Sequence, residues 1–86
     1  MFKELVVLPD ERISVGIDES TGKYCLAIPV SNGLAEYSEF YVIEQNEFEA
    51  LTRSLDPVRA IARLSRERKN DSRLLLSPGR IRGEPV

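Results

Sequence analysis

The chain has no histidine, no tryptophan and a single cysteine among its 86 residues. The absence of histidine removes the commonest general base, the commonest metal ligand and the usual pH-sensitive side chain. Cys25 has no second cysteine for a disulfide and no histidine to activate it, so we expect a thiol packed under the helices. Since the five glycines are scattered and form no phosphate-binding loop, the sequence predicts neither an enzyme nor a metal or cofactor site.

Long hydrophobic runs are also absent. Runs such as residues 5–8 and 74–76 fall far short of the roughly 20 apolar residues that a membrane-spanning helix needs. The first residues lack the layout of a signal peptide, and a lone cysteine agrees with a reducing compartment. These features predict a cytoplasmic protein that does not contact a membrane.

Charge is divided unevenly along the chain, although the net charge is only −2. Residues 1–49 carry three basic and ten acidic side chains, whereas residues 50–86 carry nine basic and four acidic ones. Such a division can indicate a charged partner. It can equally mean that the two halves neutralise each other within the fold, and the sequence leaves both interpretations open.

The first half of the chain reads as a sheet. Apolar and polar residues alternate through residues 13–17 and 24–30, with a polar turn at residues 18–23, which is typical of a β-hairpin. Residues 3–8 and 35–43 have the composition of two further strands, separated from the hairpin by turns at Pro9 and at Asn32-Gly33. The pattern predicts a four-stranded antiparallel meander.

The second half has helical spacing. Asn46 and Glu49 resemble a capping box before one helix, and Asp56-Pro57 suits the start of a second helix over residues 57–69. We therefore predict one α+β domain over residues 1–76, with both helices on one face of the sheet. The apolar run at residues 73–76 allows a fifth strand, and residues 77–86 read as an irregular tail.

The fourth strand interleaves carboxylates with aromatic side chains. Charge speeds the encounter with a partner and aromatic rings supply buried anchors, so this strand and the residues after it are the candidate surface for a basic protein partner. The alternative is an edge strand kept soluble by its charges. The candidate partner-binding residues are Glu36, Tyr37, Glu39, Tyr41, Glu44 and Glu47.

A basic stripe on the second predicted helix is the other candidate. Arg59, Arg63 and Arg66 follow the spacing of one helix face and could contact phosphates. The alternative is a solvated helix face partly paired with carboxylates. Because the sequence pI is about 5.1, we do not expect general attraction to nucleic acid.

A resemblance adds one expectation. The turn at residues 31–33, the run Glu-Tyr-Ser-Glu-Phe-Tyr-Val-Ile at 36–43, the following Glu47 to Leu51 and the ending at residues 74–83 resemble small immunity proteins of bacterial polymorphic-toxin and contact-dependent inhibition systems. The resemblance implies a stoichiometric cytoplasmic inhibitor of one cognate toxin domain, and it carries over no functional residue. Two alternatives stay open: a small regulatory or nucleic-acid-associated protein, and a homodimer joined along the two-sided fourth strand.

Overall fold

A five-stranded antiparallel sheet organises the fold. The computed structural model describes residues 1–77 and 82–86, and in these ranges strands β1 to β4 follow one another across the sheet in chain order. The predicted α+β class and the predicted meander are therefore confirmed. The five strands are β1 (Phe2–Leu8), β2 (Ile13–Asp18), β3 (Lys23–Ser31), β4 (Glu36–Val42) and β5 (Glu84–Pro85).

Side-chain hydrogen bonds close the two hairpins. Asp18 Oδ2 accepts from the backbone N–H of Thr21 at 3.0 Å and from its hydroxyl at 2.7 Å, in the turn between β2 and β3. Asn32 Oδ1 accepts from two backbone N–H groups in the turn between β3 and β4. Gly33 takes a φ of 86° there, a conformation that most residues avoid. These short turns place β2, β3 and β4 next to one another in the sheet in chain order.

The helices cover one face of the sheet. The inward-facing residues of β2, β3 and β4 form a single core with Val58, Ile61 and Ala62 of helix α2 (Asp56–Arg66). The short helix α1 (Gln45–Glu49) stacks its Phe48 ring on Tyr24, with ring centroids 4.3 Å apart. Short 3₁₀ turns span Pro9–Glu11, Ala50–Thr52 and Asp71–Arg73.

The predicted helix boundaries need correction. Helix α1 begins two residues earlier than expected, since Glu44 is the N-cap and its N–H donates to Glu47 Oε1 at 2.7 Å. Helix α2 ends at Arg66, before the predicted Lys69, because Arg68 adopts a left-handed φ of 61° that stops the helix.

The C-terminal part also differs from the prediction. Leu74 makes only an isolated bridge to Tyr41, so residues 73–76 do not form the fifth strand. That strand is β5, which pairs with Val30 and Ser31 of β3. Residues 82–86 therefore belong to the domain and are not an irregular tail, while residues 78–81 of the predicted tail lie outside the described residues.

Candidate functional site

Two of the six candidate partner-binding residues lie inside the molecule. Alternate residues of β4 point toward helix α2, and this places Glu39 and Tyr41 on the inward face, where they are 7% and 0% exposed. A buried carboxylate is costly unless cations or donors satisfy it. Glu39 and Tyr41 are therefore not available to a partner, which corrects the prediction that they form part of an exposed surface.

An ion-pair cluster surrounds Glu39. It joins β4 to the residues just after α2, to the 3₁₀ turn Asp71–Arg73 and to residues 82–86. Arg82 Nε donates to Glu39 Oε2 at 2.7 Å, and Arg68 Nη1 donates to Glu39 Oε1. The Tyr41 hydroxyl also donates to Glu39 Oε1, at 2.8 Å. The members of this cluster are Glu39, Tyr41, Arg68, Asp71 and Arg82.

The pKa values in the cluster follow from burial and pairing. Burial alone would raise the pKa of Glu39, but the hydrogen bonds from Arg82, Tyr41 and Arg68 together lower it. Burial, and then the adjacent Glu39 carboxylate, raises the pKa of Tyr41 to about 12. The hydrogen bond from Arg82 lowers the pKa of Asp71. At neutral pH the Glu39 and Asp71 carboxyl groups are thus ionised and the Tyr41 phenol is protonated.

The other four candidate residues do not form one surface either. The Tyr37 hydroxyl accepts a hydrogen bond from Gly83, and Glu47 receives two from Arg73 at 2.9 and 3.1 Å. Glu36 and Glu44 are exposed and make no ion pair within residues 1–77 and 82–86, but Glu36 begins β4 whereas Glu44 lies beyond its far end, as the N-cap of α1. The predicted acidic surface is therefore divided among separate environments.

The arginine stripe of α2 makes intramolecular contacts. Arg59 Nε donates to Glu11 Oε1 at 2.9 Å, and Arg66 donates to the backbone oxygen of Glu11 at 2.7 Å. Arg63 lies 3.7 Å from Glu67. The pairs that join the basic half of the chain to its acidic half are Arg59–Glu11, Arg68–Glu39, Arg82–Glu39 and Arg73–Glu47. In these four pairs the basic and acidic halves of the chain neutralise each other within the fold, which is one of the two interpretations that the sequence left open.

The second face of the sheet is another candidate surface, and the two-sided fourth strand contributes Phe40 to it. Phe2 and Phe40 meet on it, with ring centroids 4.8 Å apart. Gly16 permits this arrangement, because a Cβ atom there would lie 2.0 Å from the backbone oxygen of Lys3 and 3.0 Å from the Phe2 ring. Cys25 also belongs to this face and is fully buried, so it lies opposite the helices and not under them as predicted.

This face, which we call the uncovered face, carries no helix from the described part of the chain. It is apolar near its centre and includes a shallow depression of about 240 Å³ beside Val7, a side chain that is 55% exposed. The charged strand residues on this face are Glu4, Asp18, Glu36 and Glu84 against Lys23, as the strand registers show, and Arg12 also lines the depression. Its own charge is therefore acidic.

Comparison of the chain with protein-family models, with curated proteins and with solved structures finds no match. Among the described residues, no group of three or more histidine, cysteine, aspartate or glutamate side chains is arranged to hold a metal ion. No helix in those same ranges is long and apolar enough to cross a membrane.

One sequence signal could have located the ion-pair cluster. Glu39 alternates with Tyr37 and Tyr41, and alternate residues of a strand lie on the same face. A carboxylate on the same face as buried residues requires a cationic partner. The identity of that partner had no local signal, because Arg68 and Arg82 are 29 and 43 residues away.

Proposed function

We propose that this chain is a stoichiometric protein-binding module that acts through its uncovered face, and that its partner is a toxin domain with a basic surface. One observation carries the proposal: an apolar face, centred on the Phe2–Phe40 pair, has no covering element in the described part of the chain. The resemblance to immunity proteins supports the toxin assignment, since such an inhibitor needs a shaped surface and no chemistry of its own.

The composition of the uncovered face supports binding. An antiparallel sheet that faces water on one side normally alternates apolar inward residues with polar outward ones. Here the outward positions include Val7, which is 55% exposed, and Phe2, Phe40 and Val42, which are partly exposed, so part of an apolar surface remains accessible. Protein interfaces commonly have such an apolar centre surrounded by a polar rim, with aromatic side chains as anchors.

Charge supports a basic partner. Glu4 on β1 and Glu36 on β4 are exposed on the uncovered face, and neither has an ion-pair partner within the described ranges. Complementary charge at a rim accelerates association and disfavours wrong partners, whereas the apolar centre provides most of the affinity. A cleft that binds nucleic acid, as in a nuclease toxin, has the complementary positive charge.

The experiment compares two matched apolar-to-basic variants. Val7→Lys places a positive charge in the uncovered face at an exposed position, where a basic partner would be repelled, and Leu34→Lys places one at the tip of the β3–β4 hairpin, where Leu34 is 84% exposed. Tagged wild type and both variants are used to capture proteins from the native host. The captured protein is then expressed alone and with each form of the chain, and growth is measured.

We expect the captured protein to inhibit growth, and we expect wild type and Leu34→Lys, but not Val7→Lys, to relieve the inhibition. Equal relief by Val7→Lys would refute the uncovered face as the binding surface, and a captured protein without toxicity would refute the toxin assignment. If wild type alone sediments as a dimer that Val7→Lys dissociates, the face joins two copies and the heterologous partner is refuted.

A further inference from the structure

The C-terminal segment, residues 82–86, is held by contacts of three kinds. Arg82 inserts its guanidinium group among acceptors of the ion-pair cluster. It donates to both Asp71 oxygens, at 2.8 and 3.0 Å, as well as to Glu39. A guanidinium group between two carboxylates makes charge-assisted, geometrically specific hydrogen bonds. The other members of the cluster therefore form a specific binding pocket for an arginine side chain.

The next position accepts only glycine. The Gly83 N–H donates to the Tyr37 hydroxyl at 2.6 Å, and the Gly83 carbonyl accepts from Arg68 Nη2. Gly83 is buried, and a Cβ atom there would lie 2.9 Å from backbone atoms of Ser31. Since the obstructing atoms are backbone, a side chain could fit only if β3 moved.

The remaining residues add a strand. Glu84 and Pro85 pair antiparallel with Ser31 and Val30, and the Val86 N–H donates to the Pro29 oxygen at 3.2 Å. An arginine pocket, a position for glycine and a strand edge together constitute a site for an extended Arg-Gly peptide. Addition of a strand to a sheet edge, with pockets for selected side chains, is an established mode of peptide recognition.

The segment buries little apolar surface of its own. Glu84 is exposed, Pro85 is half-buried and Val86 is 38% exposed. Its attachment thus depends mainly on polar contacts at one end and on backbone pairing at the other. Segments of this kind open at a much smaller free energy than the whole domain unfolds.

We propose that the Arg-Gly site is an intermolecular binding site, occupied in the monomer by the chain's own segment, and that it accepts the C-terminal segment of a second copy. Reciprocal exchange would give a symmetric dimer with the same contacts as the monomer. Because a tethered segment has an effective concentration of roughly millimolar, wild type is monomeric at micromolar concentration. Segment exchange between two copies becomes detectable when the segment docks less well on its own chain than on the other copy. This inference does not depend on the proposed toxin partner or on the uncovered face.

Two full-length variants test the exchange. Arg82→Glu prevents the segment from docking, because its carboxylate would be repelled by Glu39 and Asp71. Asp71→Lys disables the arginine pocket, because its ammonium group would repel the guanidinium group of Arg82. In an equimolar mixture, the intact segment of the Asp71→Lys chain can dock on the intact site of the Arg82→Glu chain. The control is the double variant Arg82→Glu/Asp71→Lys, in which opposite charges meet within one chain.

We expect sedimentation to detect a 1:1 heterodimer in the mixture and only monomers for wild type and the double variant at the same concentration. A mixture that remains monomeric, although circular dichroism shows that both variants fold, would overturn the proposal. If either charge-reversal variant fails to fold, a milder variant decides the matter.

In that second test, the isotope-labelled Arg82→Ala chain is titrated with the peptide Arg-Gly-Glu-Pro-Val. We expect saturable amide shifts at Ser31 and Tyr37, and about tenfold or more weaker binding when the peptide carries Arg82→Ala, since it lacks the charge-assisted bonds. The absence of shifts at millimolar peptide would overturn the proposal, as would equal binding of the two peptides.

Discussion

Replacement of Glu39 by glutamine should destabilise the domain more than replacement of any exposed carboxylate. Glutamine keeps the size of the side chain and can still accept a hydrogen bond from Tyr41. It removes the negative charge between Arg68 and Arg82, so Asp71 becomes the only carboxylate of the ion-pair cluster. The substitution therefore tests whether the charge of Glu39 stabilises the fold or whether its side chain contributes only packing volume.

The magnitude follows from the burial of the cluster. Removing one partner of a buried ion pair typically costs about 3–5 kcal/mol, because an uncompensated charge is left behind. The side chains of Arg68 and Arg82 are 22% and 21% exposed, so water can reach them and the cost is reduced. We expect a loss of about 2–3 kcal/mol in the free energy of unfolding, a large fraction of what a domain of this size has.

Urea unfolding at pH 7, followed by circular dichroism, measures the effect, and Glu36→Gln is the matched control. Glu36 lies on the same strand but is exposed and outside the cluster, so its replacement should change stability by less than about 0.5 kcal/mol. If the two variants have equal stability, the reasoning is refuted, since the Glu39 charge would then contribute nothing beyond that of a surface carboxylate.

The same variant should also respond less to acid. The pKa of Glu39 is lowered from its usual 4.5 in the folded protein, so its contribution is present above the unfolded-state value and is lost as pH falls through the folded-state value. Wild type should therefore lose more stability between pH 5 and strongly acidic pH than Glu39→Gln. Parallel stability–pH curves for the two proteins would contradict the lowered pKa.

Two further predictions concern other parts of the fold. Arg73→Ala removes the paired hydrogen bonds to Glu47 and should lower the free energy of unfolding, measured in urea, by about 1–2 kcal/mol. Arg53 is exposed, so the control Arg53→Ala should leave that free energy almost unchanged. Equal effects would show that the Arg73–Glu47 pair does not stabilise the fold. Burial raises the pKa of the Cys25 thiol, so a thiol reagent should react at least about 100-fold more slowly with the native protein than in urea, and comparable rates would place the thiol at the surface.

Short-range patterns determined most of the secondary structure. The alternation in residues 13–30, the Asp18 and Asn32 turns and the helical spacing after residue 45 correctly predicted four strands, their order and two helices. These features depend on neighbouring residues, whose side chains bond to the backbone two or three positions away. Helix ends were less predictable, because several residues near Glu44 and Lys69 could serve as caps.

The sequence by itself thus determined the α+β class and the meander, since both follow from periodicity and turn chemistry within a few residues. Only the tertiary structure decided the use of the charged residues. Glu39 is a buried partner of Arg68 and Arg82 and not a surface residue, because the chain returns those arginines to β4 from far along the sequence. Long-range pairing likewise places residues 82–86 against β3, and no local pattern encodes that contact.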